Sequence, residues 1–164
     1  MINDDAEITL DLVGAGYRVI YEKAARSFES ASIHINDDFH VKVRMVAGGF
    51  QTIERHWRTL LAPNWFNFTF FSHKILRWLV PEFMVVTLIG SFLLMDNPFF
   101  ALLFYGQLAF YGISYYGWKK ISQQELPSYI YVPFYFTAMN LAALFGLRKY
   151  LAGQQSVNWR KAER

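Results

Sequence analysis

Apolar residues are spread unevenly along this chain. The first 75 or so positions alternate charged and apolar residues at short intervals. Behind them come three long runs that are almost free of charge: Ile75 to Met95, interrupted mainly by Glu82, then Pro98 to Trp118, then Pro127 to Leu147. A bilayer core about 30 Å thick is crossed by roughly 20 apolar residues in a helix, and each run has that length. One charged side chain at mid-membrane costs about 2.5–3.5 kcal/mol on insertion scales, so charge-free stretches of this length predict membrane helices. A soluble helix of the same length would carry a polar stripe, and these carry none. The pattern predicts an α-helical membrane protein with two to three transmembrane helices behind a small soluble lobe.

Within the lobe, Ala6, Leu10 and Val13 can share a helical face, and the acidic residues among them, Asp5, Glu7 and Asp11, suit a helix N-terminus. Gly14-Ala15-Gly16 predicts the helix stop, and Tyr17 to Tyr21, β-branched and aromatic, predicts a short strand. Phe28 to Asp37 reads as a loop. Asp38 to Leu61 reads as a second helix, broken or kinked at Gly48-Gly49. From Trp57 to Trp78, aromatic rings are interleaved with Arg55, Arg58, His73, Lys74 and Arg77. That mixture suits the headgroup layer, with rings toward acyl chains and charges toward water, although a helix packed on the lobe would use the same residues. The expected organisation is therefore 1–55 lobe, 56–78 interfacial segment, 79–150 membrane helices and 151–164 polar tail.

Charge adds an orientation. Lys42, Arg44, Arg55, Arg58, Lys74 and Arg77 precede the first run, Asp96 alone follows it, and Lys119-Lys120 with Gln123-Gln124-Glu125 precede the third. The positive-inside rule puts the lobe and the Lys119 loop in the cytoplasm, predicting a multi-pass protein of the plasma (inner) membrane. Three full crossings would then send Arg148, Lys149, Arg160, Lys161 and Arg164 outside, against the rule. Either the tail breaks the rule or one run does not cross, and Pro133 and Asn140 mark the third run as the irregular candidate. The net charge of +3 is modest and sits beside the membrane, which predicts lipid as partner and no nucleic acid. The absence of cysteine removes disulfides, thiolate metal sites and cysteine nucleophiles. His34, His40, His56 and His73 lack zinc-ligand spacing with a third partner, so no metal is expected on this chain.

One ordered series of short motifs carries the chemistry. It begins with Asp4-Asp5, Ile8, Leu10, Leu12, Gly16-Tyr17-Arg18-Val19 and Tyr21-Glu22. It continues through Phe39-His40-Val41-Lys42-Val43-Arg44, Ala47-Gly48-Gly49-Phe50-Gln51 and Ser72-His73-Lys74, to Arg77-Trp78-Leu79-Val80-Pro81. With the closing Trp159 to Arg164, the series resembles the C-terminal portion of membrane-bound family-2 glycosyltransferases of the cellulose and poly-N-acetylglucosamine synthase kind. The resemblance implies a short α/β remnant of a nucleotide-sugar transferase fold, an interfacial helix and then the membrane helices. It also implies inverting transfer of a sugar from a nucleotide-sugar donor to a glycan or lipid-linked acceptor. Asp5 matches the family's catalytic base, and Asp4 stands where the family often has Glu. Arg44 matches an arginine that clamps the leaving diphosphate, with Lys42 as a nearby cation; a guanidinium fork suits phosphate oxygens. In the polysaccharide synthases that arginine belongs to Gln-x-x-Arg-Trp. Here Val41 and Met45 replace the Gln and Trp, which puts processive polymerisation in doubt. Helix capping by Asp4-Asp5 and membrane-surface charge for Lys42 and Arg44 are the plainer alternatives.

The family binds its donor on an N-terminal α/β half whose Asp-x-Asp motif holds a divalent metal, Mg or Mn. Nothing before Asp4 matches that half, so the chain is expected to be inactive alone. The other reading is a small non-enzymatic membrane protein whose N-terminal lobe docks a partner.

Overall fold

The computed structural model describes residues 4–28, 35–121 and 125–154. Helices dominate: α1 (Asp4–Gly14), α2 (Ile35–Arg55), α3 (Trp57–Leu60), α4 (Trp65–Phe70), a π-helical turn (Phe71–Ile75), α5 (Leu76–Trp78), α6 (Val80–Leu93), α7 (Pro98–Lys120) and α8 (Ser128–Leu151). They divide between two compact units, one of residues 1–77 and 145–164, the other of residues 78–144.

In the first unit, α1 buries Ala6 and Leu10, one turn apart, as its periodicity predicts. It stops where the glycines predict. Gly16 is left-handed at φ +85°, Tyr17 N–H donates to the Leu12 carbonyl at 2.9 Å and Gly16 N–H to that of Val13 at 3.0 Å. These are the paired bonds of a Schellman ending. The chain that follows does not form the predicted strand. Tyr17 to Tyr21 has no regular secondary structure, its side chains are exposed and no strand occurs among the described residues. A ladder needs a partner edge to take up its backbone groups, and none of the described residues offers one.

Two further expectations for the lobe are corrected. α2 begins at Ile35, inside the stretch read as loop, and it runs through Gly48-Gly49 unbroken. Glycine in a helix interior costs about 1 kcal/mol against alanine. Both glycines are buried, together with Val43, Val46, Ala47 and Thr52, and that packed stripe holds the helix together. The break falls instead at His56. After α3, Asn67 ties the loop down, its Nδ2 donating to the carbonyls of Thr59 at 2.7 Å and Ala62 at 2.8 Å, while Asn64 caps α4. Trp57, Trp65, Phe68 and Phe71 are exposed, with Arg58 over the Trp57 ring and Lys74 over that of Phe70, each 5.5 Å from the centroid. Phe145 to Tyr150 of α8 pack on α2 in this unit.

In the second unit, Asp96-Asn97-Pro98 makes the predicted turn: the Asn97 side chain accepts from Phe99 N–H at 3.0 Å, and Pro98 opens α7. Ser91 of α6 meets Gln107 of α7 at 3.3 Å, and the Phe92 and Phe104 rings lie 5.5 Å apart, as in an antiparallel hairpin. Gly117 of α7 admits Phe134 of α8, since a Cβ on Gly117 would stand 2.8 Å from the Phe134 Cβ. Among the described residues, α8 is the one helix long and apolar enough to cross a membrane, with a mean hydropathy of 1.5. Trp65–Trp78 and Val80–Leu93 reach that measure only as a single broken span. α6 alone has 14 residues, or about 21 Å at 1.5 Å per residue, which is short of a bilayer core. α7 is 23 residues long, but Tyr105, Tyr111, Tyr115, Tyr116 and Gln107 temper its apolarity.

Candidate functional site

The acidic pair opens α1, where carboxylates meet the positive end of the helix dipole. Asp5 is exposed in the first turn, and its backbone carbonyl accepts from Thr9 Oγ1 at 2.8 Å. The Asp4 backbone is helical; its side chain lies outside the described residues. The next acid along has the opposite environment. Glu7 is buried, accepts from Thr52 Oγ1 at 3.1 Å and pairs with the Arg55 guanidinium through the same carboxylate oxygen. His56 Nε2 stands 3.9 Å from the other Glu7 oxygen and 3.8 Å from Asp11 Oδ1. α1 is thus held on α2 by a polar knot while Asp5 stays free to meet solvent.

Lys42 and Arg44 lie nearer the start of α2, both half-buried. Burial holds the Lys42 ammonium below its usual range, and the positive charge of Arg77 pushes it the same way. Arg44 is eight residues from Thr52, so it stands about 12 Å along the helix axis from the Glu7 knot. Met45, one residue after Arg44, is exposed.

Sequence reasoning passed over Glu7, Thr52, Arg55 and His56 as a group. A signal was present: Glu7 lies beside Ala6 and three residues before Leu10, on the face that periodicity assigns to the interior. A carboxylate there demands a donor from a neighbouring element. Among the described residues, no three His, Cys, Asp or Glu side chains come together as a metal site. His73 bonds locally to Ser72 Oγ at 2.9 Å, and His34 lies outside the described residues, as do Gln123, Gln124 and the Trp159 to Arg164 motif.

No known family model, curated protein or solved structure matches the chain. Its function is therefore read from residues and geometry.

Proposed function

We propose that this chain carries the general base and membrane portion of an inverting membrane glycosyltransferase. The enzyme would move a sugar from a nucleotide donor to a glycan or lipid-linked acceptor. The observation that carries this reading is the division of labour on α1: Glu7 is consumed by packing, and Asp5, two residues before it and on another side of the same helix, is left exposed. As the acceptor oxygen attacks the anomeric carbon, Asp5 takes the hydroxyl proton and the nucleoside diphosphate leaves with the bonding pair. Arg44 and Lys42 suit the departing diphosphate, Arg44 through its planar fork of donors.

The reaction needs a donor-binding α/β half with a divalent metal in addition to the residues here. The described residues gather no ligand set for that ion, so no step is assigned to it. In this reading Tyr17 to Tyr21 becomes a strand when the sheet of that half is supplied, completing the α/β remnant. The protein is multi-pass in the plasma (inner) membrane with its lobe in the cytoplasm; the interfacial segment rests on lipid and two to three helices enter the bilayer. The exposed Tyr17, Ile20, Tyr21 and Phe28 favour a second reading, in which a non-enzymatic lobe docks a partner protein.

Reconstitution separates the two. The chain is joined to an α/β half carrying Asp-x-Asp, and membranes are assayed for sugar incorporation. Incorporation that depends on Asp5 supports the transferase. No incorporation, with an unrelated coding sequence upstream of Met1, supports the docking protein.

A further inference from the structure

The last two turns of α8 are clamped to α2. Phe145 meets Phe39 edge-on with centroids 6.0 Å apart. Gly146 seats against the backbone of Val43: a Cβ there would be 2.7 Å from the Val43 carbonyl oxygen and 2.8 Å from the Val46 Cβ, an approach only glycine permits. Tyr150 stacks on Phe50 at 5.5 Å and donates its hydroxyl to Glu54 Oε2 at 2.9 Å. These contacts run along most of α2, from Phe39 to Glu54.

α2 itself cannot lie in hydrocarbon. It carries Asp37, Asp38, Lys42, Arg44, Glu54 and Arg55 within its 21 residues, and each would cost about 2.5–3.5 kcal/mol near a bilayer centre. It belongs to water or the headgroup layer, and what is clamped to it belongs to the same face.

We infer that the end of α8 and the α1–α2 lobe lie on one face of the membrane, so that residues 78–144 leave that face and return to it, crossing an even number of times. Three complete crossings are incompatible with this clamp. The arrangement also relieves the charge conflict at the C-terminal end of α8. Arg148 and Lys149, exposed at the end of α8, join Lys42, Arg44, Arg55, Arg58, Lys74 and Arg77 on one face, as the positive-inside rule asks. The inference does not depend on the transferase reading.

The natural sequence has no cysteine, so single cysteines report without background. Lys23→Cys in the lobe and Gln154→Cys beyond α8, both at exposed positions, are treated with a membrane-impermeant maleimide in intact and permeabilised bacterial cells. Both sites are expected to behave alike, protected in intact cells and labelled after permeabilisation. A separate Glu54→Cys, Tyr150→Cys double variant is expected to be cross-linked by a short bismaleimide in membranes. Labelling of one site from outside and the other only from inside overturns the inference. So does absence of the cross-link, including in the case where neither single site labels at all.

Discussion

Glu7 and Arg55 form an ion pair whose two partners sit in different solvents: the Glu7 side chain is 4% exposed and that of Arg55 50%. The asymmetry decides what each substitution does. Arg55→Met leaves a carboxylate buried with only Thr52 and a distant imidazole. Glu7→Met leaves a guanidinium that can swing into water while an apolar side chain of similar length fills the site. Arg55→Met is therefore expected to destabilise the lobe by about 1–3 kcal/mol, at the low end for a broken buried pair because Arg55 is already half solvated. Glu7→Met is expected to cost less, about 1 kcal/mol or under. Urea unfolding followed by circular dichroism ranks them, and equal costs would contradict the buried-carboxylate account.

Gly146→Ala is expected to loosen the α2–α8 clamp. The added methyl would lie 2.7 Å from a backbone oxygen, so a helix must shift, and overpacking of this kind costs about 1–3 kcal/mol. Gly106→Ala is the matched control, because nothing lies within 4 Å of a Cβ built there. On helix propensity it should be neutral or stabilising by up to about 1 kcal/mol. Thermal unfolding in detergent is the measurement, and a Gly146→Ala protein as stable as Gly106→Ala would show that the approach is slack.

Much of this architecture was legible in the sequence because it rests on local chemistry. The Gly16 helix stop, the Asn97-Pro98 turn and the Ala6/Leu10 face each follow from residues within a few positions of one another. What was not legible depends on distant partners. Tyr17 to Tyr21 has strand chemistry, but a strand exists only when another edge accepts its hydrogen bonds. Gly48-Gly49 reads as a kink until the glycines are seen buried in α2. The Glu7–Arg55 pair joins positions 48 residues apart, and only the inward-facing register of Glu7 hinted at it. Of the candidate site, the acidic pair was legible as a helix start. That Asp5 faces solvent while Glu7 does not required the packing of α1 on α2.

Lys42 makes the lobe's stability depend on pH in a defined direction. Burial, then the charge of Arg77, lowers its affinity for a proton in the folded state. Between that lowered value and the usual 10.5 the unfolded chain binds more protons, so this group's contribution makes stability rise with pH across the window. Below the window the fold carries the full penalty of a half-buried ammonium. Lys42→Met is expected to stabilise the lobe at pH 7, with the gain shrinking as pH approaches 10.5. Urea midpoints at pH 7 and pH 10 test the sign, and a gain that grows toward alkaline pH would reverse the assignment.

The chain is expected to stay with membranes after high salt and alkaline carbonate. The burial of α8 and its neighbours is hydrophobic, and salt does not screen it. Recovery in the soluble fraction after a carbonate wash would sink the membrane reading, whatever the site proves to do.

In an enzyme completed by its donor-binding half, Asp5→Asn is expected to lower transfer by about 10²–10⁴-fold while leaving insertion and donor binding in place. The amide keeps the shape of the side chain and its place at the start of α1, but it cannot take the acceptor's proton. If Asp5 served only as a helix cap, the same change would cost about 1 kcal/mol of stability or less and leave turnover alone. Asp4→Asn should do less, because the proposed mechanism places the base at Asp5. Arg44→Lys should slow turnover more than it weakens folding, since an ammonium keeps the charge but not the bidentate grip on diphosphate. Sugar incorporation by isolated membranes, with the three variants assayed side by side and normalised to inserted protein, separates these roles. Loss of activity in Asp4→Asn with retention in Asp5→Asn would move the base one residue back. Full activity in both would reduce the pair to a cap and send the search for the base elsewhere.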